Sequence, residues 1–243
     1  MDQSKLYTDL ANIYDLFYQK HFNYPKVASL IDQYLKKYRA KKVLHVGSGP
    51  GRLTKILSQK NKYDVQMLDS SKEMIELSHK LLPKIPQTLA DMRDFHLSEE
   101  FDAVILAGRA FPHLLTDEDI SEALEKFHDS LKPQGILIFD TFFADKMLQG
   151  ELYPEIKKIK IDGIEIARHI KTKIVSYDPP ITNLAFSFKA YDNGEARFYD
   201  VEHLVRGFSQ EDVKKLLEEN GFEVLEFAPG LDEVSYFTIA RAA

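Results

Sequence analysis

Three glycines at alternating positions, Gly47, Gly49 and Gly51, interrupt the chain just after the apolar run Val43, Leu44, His45 and Val46. Glycines in this arrangement let a ligand lie against bare backbone, because glycine tolerates φ > 0 and carries no Cβ. Leu53, Ile56 and Leu57 follow at helical spacing. The turn therefore opens onto a helix N-terminus, with free N–H groups and a partial positive charge. Two acids recur in the same register. Asp69 closes a second apolar run from Tyr63 to Leu68, and Asp91, followed by Met92, closes a third short run from Gln87 to Ala90. An acid at the carboxyl end of the second strand can accept both hydroxyls of a ribose, and one after the third can accept a base amino group. Open α/β sheets bind their ligands at this edge.

The glycine spacing is Gly-x-Gly-x-Gly, and Arg52 stands where a dinucleotide fold has its third glycine. This disfavours NAD or FAD and suits S-adenosylmethionine, which has no pyrophosphate.

The elements that must position these residues follow a βαβ rhythm. An aromatic-rich segment over 6–22 (Tyr7, Tyr14, Phe17, Tyr18, Phe22) and a helix over 25–38 precede the first strand. Ser70 or Ser71 caps a helix containing Met74, Ile75, Leu77 and Leu81. Phe101 to Leu106 reads as a fourth strand, followed by a loop with Ala107, Gly108, Arg109 and His113. Thr116 caps a helix to about Leu131, and Ile136 to Phe139 is a fifth strand ending on Asp140-Thr141. From 156 to 206 the apolar period changes to two, with hairpin signals at Asp162-Gly163 and Asp192-Asn193-Gly194. Asp178-Pro179-Pro180 reads as a turn between the hairpins. Ser209 caps a last helix, and Phe222 to Phe227 and Val234 to Ala240 are closing strands around Pro229-Gly230.

Composition narrows the partners. With 243 residues and 44% hydrophobic content the chain can build one α/β domain with an insertion. A net charge of −6 gives no global footprint for nucleic acid. The absence of cysteine excludes disulfides, thiolate nucleophiles and cysteine-ligated metal, and no metal site is expected. No apolar run approaches the length of a membrane span, and the first residues lack an apolar signal core. The expected setting is cytoplasmic and the expected partner is a small-molecule substrate, with a homodimer left open.

The segments Val43–Gly51, Asp69–Met74, Ala90–Phe95 and Leu131–Leu137 resemble the glycine, ribose, adenine and fifth-strand motifs of class I S-adenosylmethionine-dependent methyltransferases. Tyr14-Asp15, the insertion after the fifth strand and Val201-Glu202-His203-Leu204 are similar to small-molecule N-methyltransferases, the sugar-amine enzymes above all. The resemblance implies a Rossmann-like seven-stranded sheet, its sixth and seventh strands an antiparallel hairpin at the edge, flanked by helices and carrying an antiparallel β insertion. It divides the chain into a cofactor domain, 1–155 and 207–243, with 1–40 as a helical lid, and an insertion at 156–206 roofing the substrate pocket. S-adenosyl-L-methionine is the implied cofactor, held by Tyr14, Tyr24, His45, Gly47, Ser48, Gly49, Gly51, Asp69, Ser70, Met74, Asp91, Met92 and Ala107. Arg109, His203 and Arg206 are expected substrate contacts. His113, on the loop beside the transferred methyl, is the expected catalytic base, since an ordinary imidazole titrates near pH 6.5. His45 departs from the family, which usually has Asp or Glu there to hold the methionine ammonium.

The expected reaction is methyl transfer to a small molecule, at an amine nitrogen. Two other readings stay open: a non-catalytic cofactor- or partner-binding protein on the same scaffold, kept alive by His45, and a nucleotide-dependent oxidoreductase, weakened by the missing third glycine.

Overall fold

The computed structural model describes residues 6–60, 62–98, 100–150, 152, 156–192 and 195–243. Two helices, α1 (Ala11–His21) and α2 (Tyr24–Lys37), lead into β1 (Lys42–Val46). Asn23 caps α2 by accepting from Lys26 N–H, and Pro25 sits in its first turn. After the glycine turn, α3 (Arg52–Lys55) relaxes into a π-helical turn over Ile56–Lys60. Then come β2 (Asp64–Asp69), α4 (Lys72–Leu81), β3 (Gln87–Leu89), β4 (Phe101–Leu106), α5 (Asp117–Ser130) and β5 (Leu131–Phe143). Ser71, not Ser70, caps α4, and Thr116 caps α5.

The sheet runs β3-β2-β1-β4-β5, all parallel. The chain closes with α7 (Gln210–Glu219), β10 (Phe222–Pro229) and β11 (Ser235–Ala242). β11 lies antiparallel against β5, and β10 against β11. Ser209 and Asp212 form a reciprocal capping box at the start of α7. The expected seven-stranded arrangement with its antiparallel edge hairpin is therefore present.

β5 is longer than its apolar core suggested. It bulges at 132–135, where Gln134 has φ 66°, and continues through Asp140 and Thr141 to Phe143. Those last residues stay in strand conformation because the sheet forks there. Phe142 pairs with Ser235 of β11 on one side. On the other, Phe142 and Phe143 pair in parallel with Gly207 and Phe208. The latter belong to β9 (Glu195–Phe208), the end of an antiparallel ribbon ordered β9-β8-β7-β6, with β8 (Pro180–Asp192), β7 (Ile164–Tyr177) and β6 (Lys157–Ile161). Before it lies the short α6 (Ala144–Leu148). Asp162 and Gly163, both at positive φ, make the β6–β7 turn. Asp178 and Pro179 turn β7 into β8. Asn193 and Gly194 of the other expected turn lie outside the described residues.

Alternation along β1, β4 and β5 feeds two cores, one on each face of the sheet. Leu44, Val46, Val104 and Phe139 pack with Phe127 of α5 and Leu217 of α7. Val43, Ile105 and Ile138 pack with Ile31 and Leu35 of α2. A third core joins Phe17 of α1 to Ile166, Ile170, Leu184 and Phe188 of the ribbon. Each fully buried side chain of this size contributes about 1.5–3 kcal/mol. That third core fixes α1 over the carboxyl ends of the parallel strands. Among the described residues no helix is long and apolar enough to cross a membrane.

Candidate functional site

The glycine turn follows β1. Gly47 has φ 60° and lies so close to the post-β4 loop that a Cβ would sit 2.5 Å from Ala110 Cβ. Gly49 has φ 53° and nothing within 4 Å of a Cβ position, so its face is open to the cleft. Gly49 N–H donates to Asp69 Oδ2 (2.7 Å) and Ser71 N–H to Oδ1 (2.9 Å). These bonds aim the carboxylate across the mouth of the turn. Burial raises its pKa while the backbone donors oppose the rise.

The cleft above the strand ends has two lobes of about 540 and 290 Å³. Asp69, Ser70, Met74, Asp91 and Met92 line the larger one. Tyr24, His45, Ser48 and Ala107 line the smaller. Tyr14, Gly47, Gly49, Arg109, His113 and His203 border both.

Two expected site residues fall outside both linings. Gly51 is buried behind the turn, where a Cβ would touch Met67 and Leu82; its part is to start α3 at φ 80°. Arg206 is turned away from the cleft. It donates to Leu115 C=O (3.3 Å), pairs with Asp117 (2.7 Å) and lies over the Phe208 ring, tying β9 to the start of α5. Asp91 lines the larger lobe, but Arg93 grips both its oxygens at 2.8–3.0 Å and holds its pKa low.

At the junction of the lobes three side chains meet. Tyr7 Oη lies 3.1 Å from His113 Nε2, and the Tyr7 carbonyl accepts from Ser71 Oγ. The ring of His203, from β9, is 5.2 Å from Tyr7 and 5.8 Å from His113. His203 is 2% exposed, and neither of its ring nitrogens has a hydrogen-bond partner among the described residues. Phe111, stacked on Phe139 at 4.1 Å, anchors the 3₁₀ turn that presents His113. Burial pushes His113 down to about 4, which corrects the ordinary imidazole value expected of it. Burial, and then His113, push His203 to about 3. The same burial holds the Tyr7 and Tyr14 phenols well above their usual range. The junction is therefore neutral at physiological pH.

In the smaller lobe His45 is 1% exposed, and its Nδ1 lies 2.7 Å from Thr54 Oγ1. His45 Nε2 and Ser48 Oγ have no hydrogen-bond partner among the described residues. Arg52 is held by both oxygens of Asp15 at 2.7–2.8 Å, which locks α3 to α1. Arg168 of β7, 2% exposed, donates to Tyr18 Oη and stacks 4.8 Å from Phe17. Under the post-β4 loop, Asp140 Oδ1 accepts from Gly108 N–H (3.0 Å) and Arg109 N–H (2.9 Å). Burial lifts Asp140 to about 6.

The sequence places Tyr7 in the aromatic lid segment and Asp140 at a strand end without giving either a role of its own, and it does not single out Arg168 or Thr54. For Asp140 a signal existed, an acid at the end of a buried strand; for the others only the fold supplies the proximity.

The open Gly49 face, the aimed Asp69 carboxylate and the unpartnered polar atoms of His45 and Ser48 suit a ligand with a nucleoside at one end and a polar group at the other. Comparison with known proteins agrees. A family model described as a methyltransferase domain matches residues 43–135. An uncharacterized methyltransferase of Oceanobacillus iheyensis is 32% identical over 200 residues, 79% of this chain and 85% of that protein. The dTDP-3-amino-3,4,6-trideoxy-alpha-D-glucopyranose N,N-dimethyltransferase of Streptomyces venezuelae is 26% identical over 220 residues, 89% of this chain and 91% of its own. A solved amino pentose methyltransferase of Micromonospora echinaspora, with S-adenosylmethionine bound, superimposes with a TM-score of 0.82 at 21% identity, covering 95% of this chain and 97% of its own. At that identity the likeness is one of fold.

Proposed function

Since the chain belongs to the S-adenosylmethionine-dependent methyltransferases, we propose that it methylates an amine nitrogen of a small molecule at the junction of Tyr7, His113 and His203. The observation that carries this is His203: a buried, neutral imidazole with both nitrogens open, beside a second neutral imidazole. The named activity of the Streptomyces venezuelae relative, on an amino sugar, agrees with it.

When bound, the cofactor supplies an electrophilic methyl group on a sulfonium. In this reading Asp69 accepts from the ribose hydroxyls, Met74, Asp91 and Met92 border the base, and Tyr14, Tyr24, His45 and Ser48 surround the amino-acid end. The cleft's remaining task is to align a lone pair with the S–CH3 axis. A charged amine has no lone pair to offer. Burial leaves the His113 imidazole a weak base, held down to about 4, so it is poorly suited to take a proton from an ammonium. In this reading His113 is a positioning group rather than the base that deprotonates an ammonium. The acceptor enters as free base, its proton left in solvent, and the neutral pocket favours that form. His203 then accepts an amine N–H and turns the lone pair toward the methyl, while Tyr7 fixes His113 behind it. The cysteine-free chain suits a cytoplasmic setting for this reaction.

The test is to incubate the protein with S-adenosylmethionine and a panel of amino sugars and small amines, and to detect the methylated amine by mass spectrometry. His203→Ala should lower kcat by about 10²-fold with cofactor affinity nearly unchanged. Methylation of a hydroxyl or carbon acceptor alone, or full activity of His203→Ala, would reject the reading. Cofactor binding with no turnover on any acceptor would favour a non-catalytic binder.

A further inference from the structure

We propose that the outward face of the ribbon β6–β9 is a docking surface for a second copy of this chain, two ribbons meeting face to face about a two-fold axis that runs along β8. The inference holds for any acceptor.

Strand alternation decides which side chains lie on this face. Arg168, Phe186 and His203 point into the cleft, so their neighbours in sequence point outward. The register arranges the outward residues in rows across the strands. His169, Ser187 and Asp200 make one row, Lys171, Ala185 and Glu202 the next, and Lys173, Asn183 and Leu204 a third. β7 is thereby a basic ridge, with Lys171 and Lys173 exposed, and β9 an acidic one, with Asp200 and Glu202 exposed. Between the ridges Ala185 and Ser187 leave β8 as a shallow trough. Cross-strand bonds hold the acids in place: Ser187 Oγ donates to Asp200 Oδ1 (2.6 Å) and Asn183 Nδ2 to Glu202 Oε2 (3.0 Å).

A face with this charge layout is complementary to itself in one arrangement. An axis along β8 turns the ribbon over without reversing it, so β7 of one copy lies on β9 of the other and each row meets itself. Lys171 then faces Glu202 of the second copy, and His169 faces Asp200. Phe198, 67% exposed, belongs to the row of Ala167 and Lys189, and falls where β7 of the second copy carries only Ala167. Lys189, on β8 itself, leans over the Tyr191 and Phe198 rings at 4.6 and 5.0 Å. An axis across the strands would instead lay β7 on β7, lysine against lysine.

A polyanion such as RNA, or an anionic membrane, fits less well. Lys171 and Lys173 would attract it, but Asp200 and Glu202, on the far side of β8, would repel it, and the chain carries a net charge of −6. From strand and residue spacings the face covers roughly 500 Å² per copy. That is about 1,000 Å² in all, near the lower limit of a specific interface. Association should therefore be reversible and sensitive to salt.

The experiment is sedimentation of the full chain across micromolar concentrations at low and at high salt. The mass should rise with concentration toward twice that of one chain, with a dissociation constant about tenfold higher at high salt. Lys171→Glu with Lys173→Glu makes both ridges acidic, and Asp200→Lys with Glu202→Lys makes both basic. Each variant should stay monomeric alone, and the two mixed should pair at least as tightly as the wild type. Ser187→Arg, which adds bulk on the axis, should also be monomeric, with circular dichroism showing that each variant keeps its fold. A wild-type protein that is monomeric throughout overturns the proposal. So does a dimer that all three variants leave intact, or a mixture of the two charge variants that does not associate. A monomer that binds RNA or anionic vesicles through Lys171 and Lys173 overturns it in favour of another occupant.

Discussion

Replacing Asp140 by asparagine should stabilise the protein at neutral pH and leave it unimproved in acid. Asp140 is fully buried, and its pKa rises from 3.8 to about 6 through desolvation. A folded-state value above the unfolded one means that the folded chain binds the proton more tightly between about pH 4 and pH 6. Stability conferred by this group is therefore greatest below pH 4, falls as pH rises through that window, and stays low above it. Two pH units at 1.36 kcal/mol each put the cost of ionised Asp140 at about 3 kcal/mol. Asp140→Asn removes the charge and keeps an oxygen able to accept from Gly108 and Arg109 N–H. Its NH2 group, placed where Oδ2 has no partner among the described residues, returns about 1–2 kcal/mol of that gain. The net expectation at pH 7 is about 1–2 kcal/mol, a Tm higher by about 3–6 °C for a chain of this size. At pH 4 the variant should melt at or below the wild-type temperature. Asp140→Ala also removes the charge but takes the acceptor from two part-buried N–H groups, at up to about 1–3 kcal/mol each, and should melt below Asp140→Asn at both pH values. Thermal melts of the three proteins at pH 4 and pH 7 decide it. An Asp140→Asn gain that is the same at both pH values, or an Asp140→Asn melting temperature at pH 7 no higher than that of Asp140→Ala, would refute the reasoning.

Asp69→Ala should remove the two charge-assisted bonds expected at the ribose, each worth about 1.5–3 kcal/mol, and weaken cofactor affinity by at least 10²-fold in calorimetry; unchanged affinity would place the ribose elsewhere. Arg206→Gln should lower stability by about 1–2 kcal/mol through its lost contacts with Leu115 and Asp117 and leave acceptor KM unchanged, and a raised KM at unchanged Tm would return Arg206 to the substrate site.

The parts of the site that the sequence displayed are local. Gly47, Gly49 and Asp69 lie on one βαβ unit, where spacing along the chain is nearly equivalent to placement in space. Asp91 was legible for the same reason, but Arg93 two residues on, which occupies its oxygens, was not weighed. Arg206 shows the limit of strand alternation. Reading outward and inward faces along β9 requires knowing where the ribbon leaves the cleft, and Arg206 lies next to the β5 seam, past the lining. Tyr7 and Arg168 were illegible because the third core, α1 against the ribbon, brings them in across long stretches of chain. His113 was located correctly on the post-β4 loop, but its basicity is a property of burial, which sequence position does not convey.

The fork at β5 has an evolutionary consequence. The ribbon meets the parallel sheet through two residue pairs, Phe142–Gly207 and Phe143–Phe208, with Gly207 packed so closely that a Cβ would lie 2.7 Å from Met147. Into the cleft the ribbon sends Arg168, Leu184, Phe186, His203 and Val205, of which only His203 reaches the larger lobe among the described residues. Mutational drift in β7, β8 and β9 can thus recast one lobe while the other keeps its lining except at His203. Selection for a new acceptor has a narrow seam to preserve and a wide surface to explore, so one cofactor-handling chassis can be inherited unchanged by lineages that differ in what they modify.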